Sequence, residues 1–144
     1  MPQPESYPEF ATATEHRFSV QIYYEDTDFS GVVYHANFIK YFERAREHVI
    51  GAGVLRQLWQ EQGIGFAVYR CDMICNEGVE FADVVEVRSK VVIESKYRTL
   101  WQQEIWRQGS NRAAVTGYVE MVSLNSARQL TPMPQSLISL LKAN

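Results

Sequence analysis

One amphipathic helix followed by an unbroken series of strands narrows this chain to few architectures. From Ala36 to Ile50 the apolar residues Phe38, Phe42, Ala45 and Val49 recur at spacings of three and four, with Lys40, Glu43, Arg44 and Glu47 on the other faces. Gly51 and Gly53 end that helix, and Val54 to Gln62 reads as a shorter one stopped by Gly63. Beyond Gly63 the period changes to two. Ile64–Cys75, Val84–Ser95, Arg98–Gln108 and Arg112–Leu124 each read as strands, the second alternating Val85, Val87, Val91 and Ile93 against Glu86, Arg88, Lys90 and Glu94. Gln108-Gly109-Ser110-Asn111 marks a hairpin, and Pro132 and Pro134 introduce a last helix, Gln135 to Lys142. A further strand, His16 to Tyr24, precedes the long helix, with Phe18, Val20, Ile22 and Tyr24 on one face. Strands joined without crossover helices pair antiparallel, so the expectation is an α+β layer: an antiparallel sheet covering one helix.

At 144 residues, 46% of them apolar, the chain is large enough for one well-filled core and too small for two. Residues 1–14, with Pro2, Pro4 and Pro8 and little periodicity, read as a flexible arm, and 15–144 as a single domain. A formal charge of -3 offers no general attraction to nucleic acid or anionic lipid. No apolar run approaches the ~20 residues of a membrane span, and Met1 to Glu15 lacks the basic start and apolar centre of a secretion signal, so the expected address is cytoplasmic, without integral membrane association. Cys71 and Cys75, four residues apart on one strand, would lie roughly 13 Å from each other, too far for a disulfide. They are expected to be two buried thiols, with no metal bound.

Between the first strand and the long helix lies Glu25-Asp26-Thr27-Asp28-Phe29-Ser30-Gly31. Three carboxylates within four residues repel one another, a cost that a merely structural turn usually avoids. Asp28 comes just before Gly31, where the backbone can turn toward the helix, and the helix start offers unpaired N–H groups and a positive dipole end suited to an oxyanion. Two readings of Asp28 stand side by side at this point: a catalytic carboxylate, or a turn former that satisfies local amides.

The string Tyr24-Glu25-Asp26-Thr27-Asp28-x-x-Gly31-Val32-Val33-Tyr34-His35-Ala36-Asn37-Phe38, continued by Tyr41-Phe42-Glu43-Arg44-Ala45-Arg46, closely resembles the signature of the hotdog-fold acyl-CoA thioesterases of the 4-hydroxybenzoyl-CoA thioesterase family, and within it the Tol-Pal-associated branch. The resemblance implies a hotdog fold, with the sheet wrapped around the long central helix, and hydrolysis of an acyl-CoA to free acid and CoA without a cofactor. It implies that Asp28 acts as nucleophile or general base, that His35 lies beside the thioester, and that backbone N–H groups of the helix start bind the carbonyl oxygen. Gly31, Tyr34 and Asn37 belong to the same substrate-binding or oxyanion region, Asn37 equally being read as a helix cap. Glu43 is the reserve acid, because a second thioesterase branch carries its carboxylate on this helix. Subunits of the family pair so that two sheets become continuous, with sites at the interface, and a homodimer assembling into a homotetramer is expected.

Some features depart from that pattern. Where relatives commonly show Tyr-x-x-Pro-Ala, this chain has Cys75-Asn76-Glu77-Gly78-Val79-Glu80-Phe81-Ala82-Asp83, without proline and with extra acids, so substrate preference does not carry over. Trp59, Trp101 and Trp106 are read as core or interface rather than acyl pocket. The Asp-x-Asp motif also opens phosphatases of the haloacid dehalogenase type, but there it follows an apolar parallel strand in a chain of repeated strand–helix units, which this chain lacks. The remaining alternative is a non-catalytic acyl-CoA-binding or scaffolding protein of the same fold.

Overall fold

The computed structural model describes residues 8–143. Strand β1 (His16–Gln21) leads through a turn to helix α1 (His35–Ile50), then α2 (Ala52–Gln57), which continues as a wider helical turn over Leu58–Gln62. Strands β2 (Gly65–Cys75), β3 (Val84–Ser95), β4 (Arg98–Arg107) and β5 (Val115–Leu124) follow, and helix α3 (Gln135–Ala143) ends the described chain. All pairings are antiparallel, in the order β1-β3-β4-β5-β2. The chain therefore leaves one edge of the sheet after β1 and returns at the opposite edge with β2. Four strand spacings amount to about 19 Å, and the 16-residue α1 is about 24 Å long, so the helix supplies that crossing. This is the antiparallel α+β layer expected from the sequence.

The alternating residues of β3, β4 and β5 line up in rows under the helices. Val87, Ile105 and Val115 form one row, Val91, Trp101 and Val119 another, all of them buried. Phe38, Tyr41, Phe42 and Ala45 of α1 pack on the first, while Leu58, Leu137, Ile138 and Leu141 pack on the second. Between them runs a row of different character: Ser89, Gln103 and Gly117. A Cβ on Gly117 would lie 2.6 Å from the Phe42 ring, so only glycine lets α1 approach the sheet this closely.

Several elements differ from the expectation. Strand β1 ends at Gln21 rather than Tyr24, because Asp26 Oδ2 accepts a hydrogen bond from the Tyr23 N–H at 2.8 Å and closes Tyr24–Asp26 into a 3₁₀ turn; Tyr24 is exposed instead of facing the core. The last long strand starts at Val115 and not Arg112, whose side chain bonds Glu77. Both cysteines are free thiols, but Cys71 is only half-buried and Cys75 is exposed, which corrects the expectation of two buried ones: Cys75 ends an edge strand that no further strand covers among the described residues. Trp101 is core, Trp106 lies under the Arg88 guanidinium, and Trp59 is exposed. Of the expected arm, residues 1–7 lie outside the described residues, and Phe10 is buried against Tyr118. Among the described residues no helix is long and apolar enough to cross a membrane.

Candidate active site

The segment after β1 folds back as a small hairpin. Thr27 bridges Val33, the Asp28 N–H donates to the Val32 carbonyl at 2.8 Å, and the Gly31 N–H donates to the Asp28 carbonyl at 3.1 Å. Gly31 closes this turn at φ +88°, a left-handed conformation that strains other residues. The Val33 N–H donates to the Val79 carbonyl, pinning the hairpin against the loop before β3. Inside the turn, Asp28 Oδ1 accepts two hydrogen bonds, from the Ser30 N–H at 2.7 Å and the Ser30 hydroxyl at 2.6 Å. Oδ2 receives none of good geometry among the described residues, although the Val32 and Gly31 N–H groups also favour the charged carboxyl. The Asp28 carboxyl is held below the usual carboxylate range, first by the Ser30 hydroxyl and then by the Ser30 N–H, so this exposed group keeps its charge to lower pH than an ordinary aspartate.

Helix α1 begins immediately after the hairpin, with Tyr34 at its N-cap. The Asp26 carbonyl is the joint between them: it accepts from the Tyr34 N–H and from Asn37 Nδ2, both at 2.9 Å. The Asn37 N–H is taken by the Tyr34 carbonyl, and the N–H groups of His35 and Ala36 are the first-turn donors for which a helix has no internal acceptor. The His35 ring is exposed and lies 4.7 Å from that of Tyr34. Behind the turn the Tyr41 hydroxyl is buried without a partner of hydrogen-bonding geometry; burial, followed by the negative charge of nearby Asp26, pushes it well above the usual tyrosine range.

The N-terminal end of α1 therefore carries Asp28, Gly31, Tyr34, His35 and Asn37. Gly31 shapes the turn with its N–H already used, and the Asn37 side chain holds the turn to the helix. Glu43 is elsewhere. It lies eight residues beyond His35, about 12 Å along the helix, where it borders a cavity of about 360 Å³ together with Arg46. Ser30, Asp26 and Tyr41 are contributors that the sequence reading did not single out. For Ser30 a signal existed, since Asp-x-Ser is the spacing of an aspartate accepting from the backbone two residues on. Among the described residues no group of three His, Cys, Asp or Glu side chains comes together to hold a metal ion. Chemically, a turn that holds an ionised carboxylate, anchored through one oxygen by Ser30, leads directly into a helix whose first-turn N–H groups form its positive end.

Comparison with known proteins bears on the family and the fold. Residues 23–141 match the model of the thioesterase-like superfamily. An acyl-CoA thioesterase, YbgC, of Haemophilus influenzae is 32% identical over 113 residues, 77% of this chain and 83% of that one. The structure superposes with a TM-score of 0.82 on a 1,4-dihydroxy-2-naphthoyl-CoA thioesterase from Synechocystis, at 19% identity over 90% of this chain and 96% of the other, a likeness of fold alone. A probable thioesterase from Bartonella henselae superposes at 0.77, with 25% identity over 84% of this chain and all of the other. The match from Tyr23 to Leu141 takes in the Asp28 turn, the central helix and the whole β2–β5 sheet, and the chain belongs to the thioesterase-like superfamily, with the hotdog fold.

Proposed function

We propose that this protein is an acyl-CoA thioesterase, which adds water across a thioester to give a carboxylic acid and coenzyme A. The observation that carries the reading is the Asp28 carboxylate, anchored through Oδ1 by Ser30 and open at Oδ2, set before the first turn of α1. In this mechanism Oδ2 attacks the thioester carbon or takes a proton from the attacking water. The oxyanion that develops is held by the N–H groups of His35 and Ala36, and the imidazole of His35 orients the thioester. The Haemophilus relative bears the same activity in its name. The signature from Tyr24 to Arg46 favours the Tol-Pal-associated branch, acting in the cytoplasm as a homodimer that pairs into a homotetramer. Glu43, across two turns of helix from the turn, remains the reserve acid.

Replacing Asp28 by Asn keeps the shape and removes the base. Thiol release from a panel of aliphatic and aroyl thioesters is expected to fall by about 100-fold or more in the Asp28→Asn variant, the scale of a lost acid–base group. Turnover within threefold of the wild type would sink the assignment. A non-catalytic acyl-CoA-binding protein has one observation in its favour, since the two Ser30 bonds are also those of a turn-forming aspartate. Binding across the panel without thiol release would decide for it.

A further inference from the structure

Arg46 points into the core from the buried side of α1 and is only 5% exposed. Its Nη1 donates to Gln103 Oε1 at 2.9 Å, and no carboxylate stands within ion-pair distance of it among the described residues. Gln103, fully buried, is itself fixed: its Nε2 donates to the Phe42 carbonyl at 3.0 Å and to the Ser89 hydroxyl at 2.9 Å, which turns its oxygen toward the guanidinium. A buried cation is ordinarily paired. Here Glu43 is near enough to act on Arg46 through its charge but forms no pair, and burial lowers the guanidinium's affinity for its proton. The other N–H groups of Arg46 find no acceptor among the described residues.

What Arg46 borders is the 360 Å³ cavity, lined by apolar side chains such as Phe66, Trp101, Met121 and Leu137 and, besides Arg46, by three exposed charged residues, Glu43, Arg44 and Glu47. A space of that volume falls within the range of small-molecule pockets. At roughly 30 Å³ per water-sized group it takes about a dozen non-hydrogen atoms. Of the four charged residues around it only Arg46 is buried, so the apolar interior ends in one prepositioned, unpaired guanidinium and is complementary to a carboxylate on an apolar chain. We infer that this cavity is a binding site for a medium-chain carboxylic acid, with the carboxylate on Arg46 and the chain among Phe66, Trp101 and Leu137. A planar guanidinium matches a carboxylate through two parallel hydrogen bonds, whereas a neutral head group of the same length uses only part of that donor set. The site lies at the opposite end of α1 from Asp28. Acids of this class are also what thioester hydrolysis releases, so occupancy would couple product level to the enzyme. That consequence rests on the proposed hydrolysis, and the binding does not.

Calorimetry with the full chain, using decanoate, decanol and decylamine below their aggregation limits, tests the site without any turnover. Decanoate is expected to bind at least tenfold more tightly than decanol, and decylamine not at all. Arg46→Met removes the decanoate preference, and Met121→Trp, which fills the chamber and keeps the cation, weakens decanoate at least tenfold. Asp28→Asn leaves the affinity unchanged, whether or not it abolishes hydrolysis. Equal binding of decanoate and decanol to the wild type overturns the inference, as does undiminished decanoate binding in Met121→Trp. A tenfold change in Asp28→Asn does so too, by placing the acid at the other end of the helix. Should Arg46→Met fail to fold, the filled-cavity variant and the three-ligand comparison decide.

Discussion

Asp28 carries both of its side-chain hydrogen bonds on a single oxygen, and both come from Ser30. The arrangement orients the carboxylate and makes its ionised form easier to keep. In the proposed mechanism the basic form is the active one, so activity is expected to be lost as pH falls through the pKa of Asp28, which lies below the ordinary value, the Ser30 hydroxyl being the largest cause. Ser30→Ala removes that hydroxyl and leaves the Ser30 N–H bond, so the pKa rises toward the usual carboxylate range. The acid limb of the kcat/KM profile should then move to higher pH, with the plateau less affected than the limb. A limb unmoved by Ser30→Ala would show that Asp28 is not the group titrating. The turn was readable in the sequence because acids, glycine and helix start are adjacent in the chain. Asp26 was not distinguished from its neighbours, since what sets it apart is a carbonyl that accepts from Asn37, eleven residues away, and a buried Tyr41 hydroxyl behind it.

Helix α1 is seated by one absent side chain. Alanine at Gly117 would place Cβ 2.6 Å from Phe42 Cε2 and 2.9 Å from Cζ, closer than packed atoms come. Alanine in a strand recovers roughly 0.5–1 kcal/mol of the backbone entropy that glycine loses. Overpacking a filled core costs about 1–3 kcal/mol, so the clash wins. Gly117→Ala should lower the urea midpoint at unchanged slope. In the Gly117→Ala background the further loss from Phe42→Leu should be smaller than in the wild type, the mark of direct contact. A midpoint equal to or above that of the wild type would mean that α1 stands further off the sheet. The strands themselves were readable because Val85, Val87 and Val91 alternate with charges. Ser89, in the same register, gave no sign of being core: its partner Gln103 is on the next strand, and Arg46, which completes the group, is 57 residues from Gln103 along the chain. Buried polar groups of this kind are recognised only when tertiary structure brings the partners together. The helical spacing likewise gave no sign that Arg46 is buried, although it is one of the enclosed residues of α1.

The sheet ends on one side in the six-residue β1 and on the other in the 11-residue β2, whose outer edge has no neighbouring strand among the described residues. Val68 and Tyr69 on β2 are 46% and 64% exposed. A long edge that displays apolar side chains invites pairing with another chain unless something covers it. The candidate active site has a related shortage of cover: Tyr24, Phe29, Tyr34 and Phe81 stand exposed around the Asp28 turn, whereas a thioester is better activated where water is excluded. A second copy joined along β2 would continue the sheet, and a dimer would supply walls that a single chain lacks. Light scattering on the wild-type protein should accordingly give a dimer or a multiple of one. Placing charge on the edge, as in Val68→Lys combined with Tyr69→Lys, uses the device by which natural edge strands resist pairing, and it should shift the mass toward the monomer while the far-ultraviolet spectrum stays native. Thioesterase activity per chain should fall at least tenfold with that shift and recover in part at high protein concentration, since pairing is a mass-action equilibrium. A monomeric wild type would remove the β2 edge from the argument. A monomeric variant with full activity would show instead that the Asp28 turn, the helix N-terminus and the aromatic residues around them are sufficient within one chain.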